Sequence, residues 1–323
     1  MREAMCHAEL GDDVFGEDPT VNALQNRFSE LTEKQAALFF PSGSMANLAA
    51  IMVHARPGTV LYAGAACHIH HYELGSYATL AGLALKEVED GSGYLDLEDL
   101  RNKWNPDIYY MPQPGLVTVE NTHNMLGGKI YPVEELKKLR QFTSEKNVPL
   151  HMDGARLLHA AAGTDKAASE WTRNVDSVMI SISKGMGCPV GSVLCGSGEF
   201  IQRARVIRKM LGGGMRQAGI IAAAGLYALN HHLPLLQKDI QRAHAVYHGT
   251  QGHENLKWVP PESNILIGNM PLGNAADLVH FLAGSGVKAL AIHPHKIRFV
   301  FHLNNTDAGC QMLKSGIQKW LTR

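Results

Sequence analysis

Val148-Pro-Leu-His-Met-Asp-Gly-Ala-Arg156 reads as a short apolar strand that ends near Asp153 and passes through two small residues into a helix. In an open parallel sheet, ligands bind outside the carboxyl ends of the strands, so Asp153 stands where a ligand would be met. Similar apolar runs recur at residues 36–40, 59–62, 116–119, 175–181 and 190–195. Helical patterns lie between them. Asp18-Pro19-Thr20 opens one that continues through Val21, Leu24, Phe28 and Leu31, with Pro where a missing N–H costs nothing. A second covers 45–54, stopped by Pro57-Gly58, and a third covers Val133–Glu145, apolar at Val133, Leu136, Leu139 and Phe142. Short apolar strands alternating with helices predict an α/β fold, a mainly parallel sheet flanked by helices on both faces.

After about Pro234 the pattern changes to a long helix (235–248), short strands at 264–267 and 296–301, and helices at 275–283 and 307–320. This predicts a small α+β C-terminal domain at 235–323, a large domain at 20–234, and an N-terminal segment, 1–19, packing on the small domain. The chain has 323 residues, 45% hydrophobic and 19% charged, an ordinary globular balance. Thirty Lys and Arg against thirty Asp and Glu leave no basic excess, so neither nucleic acid nor an anionic membrane is expected as a partner. Five scattered cysteines without a C-x-x-C pair argue against a disulfide framework or a zinc ribbon and suit a reducing, cytoplasmic setting. The most apolar stretch, 218–229, is too short to span a bilayer and is expected as a buried helix.

Four places offer chemistry. Pro41-Ser42-Gly43-Ser44-Met45-Ala46-Asn47 is a small, hydroxyl-bearing turn between strand and helix. Free amides and the helix dipole make it an anion site, although an ordinary N-cap needs the same residues. Gly185-Met-Gly187-Cys-Pro-Val-Gly191 misses the dinucleotide fingerprint, so a nicotinamide enzyme is not supported. Asp153 and Arg156 provide two distinct polar points for one ligand; the plainer reading is a helix cap and a surface pair. His151-x-Asp153 also matches part of a two-His-one-carboxylate iron site. Lys184 follows an apolar strand within a ring of small residues (Ser181, Ser183, Gly185, Gly187), where a desolvated amine can form a Schiff base. His68 and His123 sit in loops after strands, placed to stack on a ring or act as bases.

An anion-binding turn, a loop histidine, a strand-end Asp with Arg, and a strand-end Lys together suit pyridoxal 5′-phosphate. With Gly11-Asp-Asp-Val-Phe-Gly-Glu-Asp-Pro19, His68 with Tyr72-Glu73, Glu120-Asn-Thr-His-Asn124 and Gly212-Gly-Gly-Met-Arg-Gln-Ala-Gly219, the chain closely resembles the low-specificity L-threonine aldolases, fold-type-I enzymes of the aspartate-aminotransferase superfamily. The resemblance implies Lys184 as the Schiff-base lysine, Asp153 as partner of the pyridine nitrogen, and Ser42, Gly43 and Ser44 as the phosphate cradle. It implies His68 stacked on the ring and Arg156 and Arg298 as clamps for cofactor oxygen and substrate carboxylate, with Tyr72 beside the substrate. Arg216 resembles an arginine given to a neighbouring subunit's phosphate, which implies a homotetramer with shared sites.

The implied reaction is cleavage of L-threonine, L-allo-threonine and similar β-hydroxy-α-amino acids to glycine and an aldehyde. Either His68 or His123 would take the hydroxyl proton. The resemblance also implies a strand-like segment rich in Ser, Asp and Thr before Met1, which would supply a hydroxyl near the substrate. Any mitochondrial targeting peptide would lie there too. The alternatives on the same scaffold are a weak or inactive homologue and another pyridoxal-phosphate lyase or transferase.

Overall fold

In the computed structural model, which describes residues 1–323, the apolar runs pair into one seven-stranded sheet. The strands are β1 (Ala36–Phe40), β2 (Val60–Gly64), β3 (Ala84–Val88), β4 (Pro114–Glu120), β5 (Leu150–Asp153), β6 (Ser177–Ser181) and β7 (Ser192–Gly196), in spatial order β1-β7-β6-β5-β4-β2-β3. The neighbours from β3 to β6 pair in parallel, while β7 runs antiparallel to both β6 and β1. Within this sheet, β3 is the strand that sequence patterning misses. It lies at the sheet edge, and only Val88 of its five residues is buried, so Lys86 and Glu87 disguise it.

The larger helices of this domain are α1 (Pro19–Thr32), α2 (Gly43–His54), α3 (Val133–Glu145), α4 (Leu157–Thr164), α5 (Gly198–Met210) and α6 (Gly219–His231). Asp18 caps α1, accepting the Val21 N–H at 2.9 Å, and Pro19 follows at the first helical position. Val21, Leu24 and Phe28 are fully buried, each contributing roughly 1.5–3 kcal/mol of transfer free energy. The apolar stretch at 218–229 is explained by close helix packing. A Cβ on Gly225 would approach Leu24 Cδ1 to 2.7 Å, so α1 and α6 touch only because α6 is made of Ala and Gly there. No single helix is long and apolar enough to cross a membrane.

The second domain contains α7 (Leu236–Thr250), β8 (Lys257–Val259), β9 (Ile265–Asn269), α8 (Ala275–Ala283), β10 (Leu290–His293), β11 (Lys296–Val300) and α9 (Asp307–Leu321). Its sheet is antiparallel in order β10-β11-β9-β8. α7 belongs to both domains: Leu236 is in the large core, whereas Ala243 and Val246 are in the small one. The N-terminal segment departs from expectation. A short helix, Arg2–Cys6, carries Met1 and Met5 against the large core rather than the small domain.

Candidate active site

Level strand ends gather the site. Glu120 of β4 pairs with Asp153 of β5, and Asp153 with Met179 of β6, so three parallel strands end along one edge. Beyond that edge lies a cavity of about 310 Å³ lined by Ser42, Gly43, Ser44, Asn47, His68, Glu73, Asp153 and Lys184. A larger cleft of about 800 Å³ beside Leu31, Leu158 and Pro234 carries no such set of groups, so chemistry rather than size identifies the site. The Ser42 hydroxyl caps α2 by accepting the Met45 N–H at 3.2 Å, so the capping role and the cavity-lining role coincide. The first amides of α2 have no partner within the helix, which leaves a positive end for an anion.

At the floor, the Asn47 side-chain amide donates both its hydrogens to carboxylates: one to Asp153 Oδ2 at 2.9 Å, one to Glu73 Oε1 at 2.9 Å. Asp153 Oδ1 also accepts the Ala155 N–H at 3.1 Å. His68 Nδ1 lies 3.1 Å from the same Glu73 oxygen, and the His68 amide donates to Glu120 Oε2 at 2.7 Å. The Glu73 hydrogen bond holds the His68 pKa above its ordinary value, against the opposing effect of burial. Burial raises the Glu73 carboxyl in turn, and its Oε2 has no partner. Asn47, Glu73 and Glu120 fall inside the sequence motifs, yet no role attaches to them from the sequence. The available signal is an amide and two carboxylates within a few residues of strand ends.

Lys184 is reached three residues after β6; its carbonyl accepts the Gly187 N–H at 3.0 Å, while its amine makes no hydrogen bond or ion pair with the protein. Its side chain is open to the cavity yet surrounded by protein beyond it. That surrounding lowers its pKa, opposed by Asp153 and assisted by Arg156. Arg156 lies deeper. Burial, followed by repulsion from Arg298, pulls its pKa down to about 10, and no carboxylate pairs with it. Arg298 reaches over from β11, donating from Nη1 to Asn124 Oδ1 at 3.0 Å, with its buried Nε left without a partner. Neither arginine lines the cavity itself, but each lacks an ion-pair partner, and the charge of Arg298 in the small domain is felt at Arg156 in the large one.

Tyr72, Arg216 and His123 also stand apart from the cavity. The Tyr72 ring is 5.5 Å from the His68 ring, and its hydroxyl donates to Met125 Sδ at 3.1 Å. Arg216 is exposed and pairs with Asp12 at 2.7 Å. His123 is buried behind the Glu120 strand end, its Nε2 2.9 Å from Asp90 Oδ2 and its Nδ1 unpartnered. Burial is the largest single influence and opposes its protonation, but the Asp90 hydrogen bond together with the charges of Glu120, Asp90 and Asp153 outweighs it and the pKa is raised. The iron reading of His151-x-Asp153 is overturned: His151 is fully buried and uses both ring nitrogens, toward Ser177 and Asn47.

Comparison with known proteins gives the family of the chain. Residues 1–270 match the family model described as beta-eliminating lyase. A low-specificity L-threonine aldolase of Escherichia coli is 38% identical over 317 residues, covering 94% of this chain and 90% of that protein. Low-specificity L-threonine aldolase 1 of Arabidopsis thaliana is 38% identical, covering 99% of this chain and 92% of its own. Among solved structures, a threonine aldolase of Leishmania major superposes with a TM-score of 0.84 at 20% identity, over 95% of this chain and 91% of that one.

Proposed function

The chain belongs to the beta-eliminating lyase family, on its threonine aldolase branch, and has the fold-type-I architecture of those enzymes; on that premise we propose that it is a pyridoxal-phosphate-dependent lyase that cleaves L-threonine and similar β-hydroxy-α-amino acids to glycine and an aldehyde. The observation that carries the reading is a single cavity with an unpaired amine, a fixed carboxylate and a helix N-terminus at three of its walls. The fit to the cofactor is chemical. Lys184 offers a depressed, partnerless amine for an aldehyde, and Asp153 a carboxylate oriented by Asn47 for a ring nitrogen. Ser42, Gly43 and Ser44 offer hydroxyls and amides for a phosphate, and His68 an imidazole for a ring face. When bound there, pyridoxal phosphate supplies the electron sink for a carbanion at the substrate Cα.

The remaining work belongs to the chain. Arg156 and Arg298 hold the substrate carboxylate, and a planar guanidinium fork fixes its orientation and hence which Cα bond is placed for cleavage. His68 takes the β-hydroxyl proton. Its Nδ1 is engaged by Glu73, which leaves Nε2 as the free base position, whereas both faces of His123 lie outside the cavity. Atoms balance: the hydroxyl proton leaves, Cα–Cβ breaks, and Cα regains a proton to give glycine beside acetaldehyde. Arg216 serves the phosphate of a second copy in a tetramer; its exposure, with Asp12 as its one ion-pair partner, supports this reading. Five unpaired cysteines fit a cytoplasmic setting. The test is product analysis of threonine incubated with protein and cofactor. Glycine with acetaldehyde supports the reading. Ammonia with 2-oxobutanoate would instead make the protein an eliminating enzyme.

A further inference from the structure

Beneath the cavity floor, side chains from three elements form a line that neither the motifs nor the reaction requires. His54, the last residue of α2, places Nε2 2.7 Å from Ser177 Oγ. Ser177, the first residue of β6, lies 2.8 Å from His151 Nδ1, and His151 Nε2 lies 3.1 Å from Asn47 Oδ1. Asn47, His151 and Ser177 are fully buried.

The direction of every bond in this line is forced. The Asn47 nitrogen faces two carboxylates, which accept, so its oxygen must be the acceptor toward His151. His151 therefore donates from Nε2. Burial pushes its pKa down to about 3, so the ring is neutral and its Nδ1 must accept. Ser177 then donates to His151, and its oxygen accepts from His54, whose pKa burial lowers to about 4. The far end is held by packing, with the His54 ring stacked at 4.5 Å on Phe200. Flipping the Asn47 amide would break three bonds at once and turn an oxygen toward two carboxylates.

We infer that His54, Ser177 and His151 are positioning residues: a one-directional hydrogen-bond chain that locks the Asn47 amide so that it holds Asp153 aimed into the cavity. The inference rests on the reading that Asp153 meets the cofactor ring, and it extends the site by three residues that touch neither substrate nor cofactor.

The first test uses ¹⁵N-histidine NMR on the protein freed of pyridoxal phosphate, with His151 assigned by the signal lost in His151→Gln. The expected parent ring is the Nε2–H tautomer with a hydrogen-bonded Nδ1, and Ser177→Ala should keep that tautomer while moving the Nδ1 resonance toward that of an unbonded ring nitrogen. Pyridoxal phosphate titrated into the same protein should bind about three- to tenfold more weakly in Ser177→Ala, the size of one neutral hydrogen bond. His54→Phe, which keeps the stack on Phe200, provides a second break and should weaken binding in the same direction. An Nδ1–H tautomer in the parent, or parental cofactor affinity in both variants, overturns the inference. Asp153→Ala separates the two layers. If it weakens binding while the chain variants do not, only the chain is refuted; if it also binds as the parent does, the reading of Asp153 itself fails.

Discussion

Arg298 on β11 of the small domain adds its charge to the burial that lowers the pKa of Arg156, the residue that opens α4 in the large domain, and neither has a carboxylate partner. Like charges are brought together in a protein interior when an anion is expected between them. Arg298→Ala should therefore weaken glycine and threonine binding by about 2–5 kcal/mol while leaving pyridoxal phosphate affinity near parental. Arg298→Lys should also suffer, because an ammonium cannot reproduce the fork. Paired titrations with cofactor and glycine decide this. Unchanged glycine affinity would remove Arg298 from the site.

The His68–Glu73 pair predicts a pH dependence with a definite sign. Glu73 raises the folded-state pKa of His68 above its ordinary 6.5. The stability contributed is fully present below that ordinary value and is lost as pH rises through the raised one. Glu73→Gln should bring the His68 titration, followed by NMR, down toward the ordinary value and flatten this part of the stability profile. A His68 titration that does not move would separate the two residues.

Asp13 and Arg208 form a buried pair at 2.6 Å, with the Arg208 Nη1 donating to the Phe39 carbonyl at 2.6 Å. Removing the carboxylate strands a guanidinium that is almost wholly enclosed. Asp13→Ala should cost about 3–5 kcal/mol in urea unfolding. A loss below about 1 kcal/mol would mean that water reaches Arg208.

The Lys184 side chain makes no hydrogen bond or ion pair, and its backbone bond to Gly187 survives substitution, so Lys184→Ala should unfold within about 0.5 kcal/mol of the parent while losing turnover. In the parent, burial lowers the lysine below its ordinary 10.5. The rate of cofactor loading should accordingly rise with pH and level off below that value. A plateau only above it would show an ordinary surface amine.

The parts of the fold written in strong periodicity are legible in the residue pattern itself. Val133–Glu145 and Ala275–Ala283 form helices over the residues expected: the first is a buried stripe on an otherwise polar helix, and the second is a mostly apolar run capped by Asn274. β3 and β10 are not legible: β3 is interrupted by Lys86 and Glu87, and β10 has only three apolar residues, Leu290 to Ile292, none of them buried. At the site, Ser42, Gly43, Ser44, His68, Asp153 and Lys184 are each marked by a small residue or a strand end, and the cavity brings all six together. Asn47 and Glu73 are not, since their role depends on partners 106 and 26 positions away from Asn47, which no local spacing reveals. His123 is legible as a loop histidine, but its pairing with Asp90 depends on a contact across 33 positions.

The account turns on Lys184 as the amine that holds the cofactor. The direct measurement is to load the protein with pyridoxal phosphate, reduce it with borohydride, digest it and locate the added mass. The account predicts one modified lysine, Lys184, in the peptide Ser181-Ile-Ser-Lys-Gly185, and no such mass at Lys184→Ala. Modification at a different lysine, or none at all under conditions where threonine is cleaved, would contradict it.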